Sequence, residues 1–250
     1  MRLLKFEPDK VTAVAFFSGI AMILLSLAMI LFRDTFLETI MNIFLRDVIM
    51  IYILGFCFPL TYIRKKENGK YSMLGITKHK LTMSLALNAV FAILLFGSFL
   101  FRSSQRIDFD YESLCAISYI LVAGIFEMVF IYGFLRCYFE KAFGVIPAVL
   151  LTSLFYSLHH AGFQPEFPKL FFVGIMYCSV FYITRNIFIL FPFFWGTGAI
   201  WDVLANSAAG QSLKNTTSLL IAIGLLLAMA LFIVWKGNLY GRKAKVTFRK

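Results

Sequence analysis

Eight stretches of this chain run for 15 residues or more with at most one ionisable side chain: 11–32, 48–63, 81–101, 113–135, 145–159, 170–184, 187–205 and 218–235. A helix needs about 20 apolar residues to cross the hydrocarbon core of a bilayer. In that solvent each backbone N–H and C=O must find its partner inside the protein, which leaves only helices and closed barrels. No ten-residue alternation of the kind a barrel strand needs is present. The chain is therefore expected to be all-α, a polytopic transmembrane bundle of about eight spans forming one membrane-embedded domain over 1–250. The runs 48–63, 145–159 and 170–184 are short, at 15–16 residues. They are expected to borrow flanking residues or to be shielded from lipid by neighbours.

Composition narrows the function classes. Sixty per cent of the residues are hydrophobic and 15% charged, against roughly 45–50% and about 25% in soluble domains. A soluble enzyme, a disordered chain and a secreted disulfide scaffold are excluded. Cys57, Cys115, Cys137 and Cys178 lie in or beside apolar runs without CxxC spacing, and read as small buried hydrophobes. The first run is 22 residues long, more than the roughly 7–15 of a signal-peptide core, and reads as the first span.

Orientation follows from Lys and Arg. With the N-terminus inside, the cytoplasmic segments carry 18 of the 24 basic residues and the outer loops carry 6, which places both termini in the cytoplasm. The basic tail 236–250 is then an anchor on an anionic leaflet, and membrane lipid rather than nucleic acid is the expected partner.

Inside the runs the ionisable residues are Glu127, His159, His160 (at the end of its run) and Asp202. A charge at mid-bilayer costs roughly 2.5–3.5 kcal/mol on insertion scales, so such groups face the bundle interior and are candidates for function. The structural alternatives are a protonated packing residue for Glu127 and an interfacial anchor for His160, and for His160 the anchor is the stronger reading. Depth adds weight to the functional reading. Glu127 precedes Phe143, near the expected inner turn, by 16 residues, and His159 follows it by 16. At 1.5 Å per residue each lies roughly 24 Å from that turn, so an antiparallel pair brings them level. Asp202 lies 16 residues beyond Asn186, at the next inner turn. Three ionisable groups are thus expected at one cavity, with Pro192 able to kink the seventh run and blur the count. Phe155 and His159 are four residues apart, as are Asp202 and Asn206, so each pair shares a helix face. Gly133, Gly196, Gly198 and Ala199 allow close helix approach.

These residues resemble a known family, the CAAX protease and bacteriocin-processing (Abi) intramembrane endopeptidases, relatives of the type II CAAX-prenyl endopeptidase. The family carries Glu-Glu-x-x-x-Arg on one helix, Phe-x-x-x-His on the next and His-x-x-x-Asn on a later one. Here Glu127-Met-Val-Phe-Ile-Tyr-Gly133 is similar to the first, Phe155-Tyr-Ser-Leu-His159 matches the second, and Asp202-Val-Leu-Ala-Asn206 is similar to the third. The upstream Met73-Leu-Gly-Ile76 is similar to a further family feature, and the likeness spans a catalytic-like core at about 113–210. Three positions depart: Met128 stands for the second Glu, Tyr132 for the Arg and Asp202 for the third-motif His.

The resemblance implies an intramembrane endopeptidase, in a bacterial cell membrane, acting on a peptide or membrane-protein substrate. Glu127 would be the general base, His159 its water- or substrate-orienting partner and Asn206 an oxyanion donor. Asp202 fits this scheme awkwardly, because an ionised carboxylate opposes a nearby oxyanion. It is expected to be protonated, to point elsewhere or to ligate a cation, and Glu127, His159 and Asp202 would serve as a Zn²⁺ ligand set with an open position. No HExxH helix accompanies them. Two other classes stay open: a catalytically silent relative acting as a membrane binding or bacteriocin-immunity protein, and a transporter using Glu127 and Asp202 as a cation path, for which no inverted repeat is found.

Overall fold

The computed structural model describes residues 2–103, 107, 109–205 and 208–247, and every regular element among them is helical. The long helices are α1 (Lys10–Ile30), α2 (Glu38–Lys66), α3 (Leu81–Arg102), α4 (Tyr111–Phe143), α5 (Val145–Leu158), α6 (Phe167–Thr184), α7 (Phe193–Leu204) and α8 (Thr216–Thr247). Short helical turns occupy Tyr71–Leu74, Ile187–Ile189 and Ala208–Gln211. Among the described residues, seven segments are long and apolar enough to cross a membrane: α1, α2, α3, α4, α6, Ile187–Leu204 and Thr216–Lys236. The fifth apolar run forms a helix of only 14 residues, α5. The protein is an integral membrane protein built as a polytopic helical bundle, with seven candidate spans and one shorter apolar helix where about eight spans were expected.

Length differences have local causes. The run 48–63 grows to the 29-residue α2 because its charged flank is helical too and buries its charges against each other. Arg46 Nε lies 2.9 Å from Asp47 Oδ1 and Nη2 lies 3.2 Å from Oδ2. The Tyr119 hydroxyl donates to the same Asp47 carboxylate at 2.6 Å, and the Arg46 guanidinium sits 4.9 Å from the Tyr119 ring centre. A buried ion pair is tolerated when its remaining hydrogen-bonding capacity is met in this way. Arg46, counted from sequence as a loop charge, is therefore part of a span.

α5 stays short because it is an inner element, packed against α4, α6 and α1. A Cβ at Gly174 of α6 would lie 2.9 Å from the Ser153 Cα of α5, so the two backbones approach through a small residue. The α4–α5 connection is the single residue Gly144, at φ +86. The N-terminal segment closes over this turn, with the Lys5 amide donating to the Phe143 carbonyl at 3.0 Å and the Ile146 amide to the Leu3 carbonyl at 3.1 Å. A Cβ at Gly144 would stand 2.7 Å from the Leu3 carbonyl oxygen, so this tight turn needs glycine twice over.

The heart of the bundle is α4. Its first turns are capped by Asp110, whose carboxylate accepts from the Ser113 amide at 2.7 Å. From Glu127 to Leu135 it widens into π-helical winding, and all nine residues of that segment are buried. π-bulges occur often at functional sites.

Candidate active site

Glu127 opens the π-helical segment of α4 and is 6% exposed. Its two carboxylate oxygens have separate partners. Oε1 lies 3.2 Å from His159 Nε2 and 3.7 Å from His160 Nε2. Oε2 accepts from the Trp195 indole N–H at 2.9 Å.

Both histidines sit just beyond the end of α5, and both rings are anchored to one backbone carbonyl. His159 Nδ1 is 2.6 Å and His160 Nδ1 2.8 Å from the Tyr156 oxygen. A carbonyl only accepts, so each Nδ1 is the donor there and each Nε2 faces Glu127. A hydrogen on either Glu127 Oε1 or His159 Nε2 closes their contact, and without it Oε1 is able to take one.

The turn bearing the histidines is pinned from outside α5. The Gly162 amide donates to Ser26 Oγ at 2.9 Å, and Arg33 Nη2 donates to the Gly162 carbonyl at 2.8 Å. A Cβ at Gly162 would stand 1.9 Å from the Ser26 carbonyl oxygen, so this contact with α1 exists only for glycine. Trp195 is seated as firmly. Its ring lies against Gly124, where a Cβ would be 2.0 Å from a ring carbon, and its carbonyl accepts from the Tyr177 hydroxyl at 3.0 Å.

A cavity of about 560 Å³ opens beside this cluster, and Glu127, His160, Tyr156, Trp195 and Asp202 are among its lining residues. His159, with no exposed surface, backs Glu127 rather than lining the cavity. The structure thus places Glu127 and His159 in direct contact and puts Asp202 on the wall of the same cavity, away from them. The polar contacts of Asp202 among the described residues are the Gln164 amide at 3.4 Å and Lys169 Nζ at 4.0 Å. The sequence count expected these groups at one cavity, and Glu127 and Asp202 do line the same one, although residues 187–189 form a short 3₁₀ turn and α7 begins only at Phe193. Asn206 lies outside the described residues.

His160 corrects an expectation. Read as an interfacial anchor, it is 7% exposed and faces Glu127, because α5 ends at Leu158 and the chain turns inward at once. Trp195 was not singled out from sequence; an indole donor carries no charge to mark it among 30 Phe and 11 Tyr. At the positions that depart from the family motif, Met128 and Tyr132 are buried, and the Tyr132 hydroxyl has no hydrogen-bond partner among the described residues.

Glu127, His159 and His160 each offer one donor atom, and these atoms lie within 4.8 Å of one another. Among the described residues this buried set, in place of one including Asp202, is the group of side chains that could hold a divalent ion.

Searches of the curated proteins and of the solved structures give no match. Residues 110–196 match the family model described as type II CAAX prenyl endopeptidase Rce1-like. Asp202 and Asn206 lie beyond the matched stretch, whereas Glu127, His159, His160 and Trp195 lie inside it. The segment from the cap of α4 to the first turn of α7 is thus similar to the Rce1-like type II CAAX prenyl endopeptidase family, the family its motifs resemble.

Proposed function

We propose that the protein is an intramembrane endopeptidase in which Glu127 activates water for attack on a peptide bond. The observation that supports this most is the 3.2 Å contact between Glu127 Oε1 and His159 Nε2 at the wall of a 560 Å³ cavity. Peptide hydrolysis needs a base beside the attacking water, a route for its proton to the leaving amine and a donor for the oxyanion. Trp195 holds Oε2, so Oε1 is the oxygen left to take the proton. His159, fixed through Nδ1, orients that oxygen and shares its hydrogen. General-base assistance of this kind contributes roughly 10²–10⁴-fold. The protonated carboxyl then returns its hydrogen to the amine nitrogen as the C–N bond breaks, and the carboxylate is restored.

Asn206 is the proposed oxyanion donor, on the strength of the family motif; one such donor contributes about 2.7–4 kcal/mol in a known hydrolase. Asp202, engaged with Gln164 and Lys169, takes no part in this scheme. Both termini are proposed to be cytoplasmic.

A second reading, a catalytically silent relative that binds a membrane partner, draws on Met128 and Tyr132, where two ionisable groups of the family motif are replaced. One experiment separates the two. Purified protein in lipid vesicles is given a membrane-associated peptide in H₂¹⁸O, and fragments are analysed by mass spectrometry. The peptidase yields one fragment with ¹⁸O in its new carboxylate, and His159→Ala suppresses it. A silent relative yields intact peptide under all conditions.

A further inference from the structure

Among the described residues, the Lys, Arg, Asp and Glu side chains lining the cavity beside Glu127 are Arg46, Glu127, Lys169 and Asp202, two of each sign. Both cations already have closer partners. Arg46 is held by both carboxylate oxygens of Asp47, at 2.9 and 3.2 Å. Lys169 Nζ lies 2.7 Å from Glu166 and 4.0 Å from Asp202. Lys169 is thus shared between two carboxylates and lies closer to Glu166, which leaves Asp202 the more loosely held of the two. Glu127 is fully engaged by His159 and Trp195. Among the described residues, Asp202 has the long contacts to Gln164 and Lys169, and its side chain is 25% exposed.

We propose that the Asp202 end of the cavity is a subsite for a cationic group of the substrate peptide, a Lys or Arg side chain or a free N-terminal amine. This rests on the peptidase reading above for the word substrate, though not for the binding itself. A carboxylate in a partly desolvated wall has lost water that an incoming ammonium or guanidinium replaces with a charge-assisted hydrogen bond. The rings around it favour the same guest. Trp201, the neighbour of Asp202 in sequence, is stacked on Phe99 with ring centres 5.4 Å apart, and both line the cavity. Aromatic faces attract cations more strongly where water is excluded. An anionic guest would meet the Asp202 carboxylate, and a neutral one would leave Asp202 as it stands.

The test measures binding and cleavage separately. N-acetylated peptides that differ at one position (Lys, norleucine or Glu), and a fourth with norleucine and a free N-terminus, are titrated into the purified protein. Binding is followed by Trp fluorescence. The wild-type protein is expected to bind a cationic peptide on the order of tenfold more tightly than the neutral one, the size of a partly desolvated ion pair. Whether the Lys peptide or the free-amine peptide shows the gain identifies the source of the cation. Asp202→Asn should remove the preference, Asp202→Lys should turn it toward the Glu peptide, and Asp202→Glu should keep it. Equal binding of all four peptides by the wild type, or a cationic preference that survives Asp202→Asn in a protein of unchanged melting temperature, overturns the subsite. Preferential binding without any cleavage would instead remove the peptidase reading and leave the subsite standing.

Discussion

The two ends of the cavity hold their acids in opposite ways. At one end Glu127 is buried, with one oxygen fixed at 2.9 Å by an indole and the other 3.2 Å from an imidazole whose own ring is tied to a carbonyl at 2.6 Å. At the other end Asp202 is partly exposed, and its contacts are 3.4 and 4.0 Å long. The supports of Glu127 come from α7 and from the turn after α5, itself pinned by α1. Those of Asp202 come from Gln164 in a loop and Lys169 in the first turn of α6. Over-determined geometry suits a group whose proton transfers must occur in one fixed arrangement, since misplacement by about 1 Å can cost on the order of 10²-fold. Loose geometry suits a group that adapts to different guests. The same side-chain chemistry thus serves two tasks because the surrounding packing differs.

The sharpest way to break this contrast is to neutralise each acid in turn. Glu127→Gln keeps the shape and the Trp195 contact while removing the base, so turnover should fall roughly 10²–10⁴-fold. Asp202→Asn should leave turnover of a neutral peptide at the wild-type rate in the same peptide-cleavage assay. Comparable losses in both variants would erase the distinction.

A smaller effect is expected from Trp195→Phe, which keeps the ring over Gly124 and deletes only the N–H that holds Oε2. Hydrogen bonds to charged groups contribute about 1.5–3 kcal/mol, so kcat should drop by roughly one to two orders of magnitude with KM little altered. A change confined to KM would mean that Trp195 contacts substrate and does not position the carboxylate.

Weaker still, and remote from both ends, is the cap of α1. The Asp9 carboxylate accepts from the Thr12 amide at 2.7 Å, while the Asp9 amide donates to Thr12 Oγ1 at 3.2 Å. The Thr12 amide and hydroxyl hold the Asp9 carboxyl below its ordinary value of 3.8. A depressed value means that the cap contribution is complete above about pH 4 and is lost as the pH falls through the lowered value. Asp9→Ala should cost about 1 kcal/mol, read as a small fall in melting temperature at pH 7 that disappears under strong acidification, with cleavage unaffected.

No effect at all is expected from chelation if Glu127 acts as a base. Extraction with a strong chelator, checked by elemental analysis, should leave cleavage intact. Loss of activity restored by Zn²⁺ would move Glu127, His159 and His160 from base and partners to a ligand set.

Much of this contrast was legible in the sequence, and unevenly so. Apolar runs gave the helices because lipid leaves a backbone few alternatives. Equal 16-residue offsets from Phe143 brought Glu127 and His159 together because α4 and α5 are continuous helices meeting at one glycine. The same count expected Asp202 at a cavity shared with Glu127, and both line one cavity although the chain enters α7 through a 3₁₀ turn. Arg46 counted as a loop charge because a tally of Lys and Arg does not show that adjacent opposite charges can enter a span together when a tyrosine completes their hydrogen bonding. His160 was mistaken for an anchor because its direction depends on where α5 ends, a boundary fixed by Gly162 against Ser26 and not by helix propensity.

The division of labour between the two ends is tested most directly by binding and cleavage measured in one sample of Glu127→Gln. A saturating peptide is added to the purified variant, occupancy is read by Trp fluorescence, and the fraction of bound peptide cut is followed over many wild-type turnovers. The account predicts wild-type occupancy with cleavage reduced at least about 100-fold. Cleavage of the bound peptide at the wild-type rate, or a loss of cleavage fully explained by lost occupancy, would contradict it.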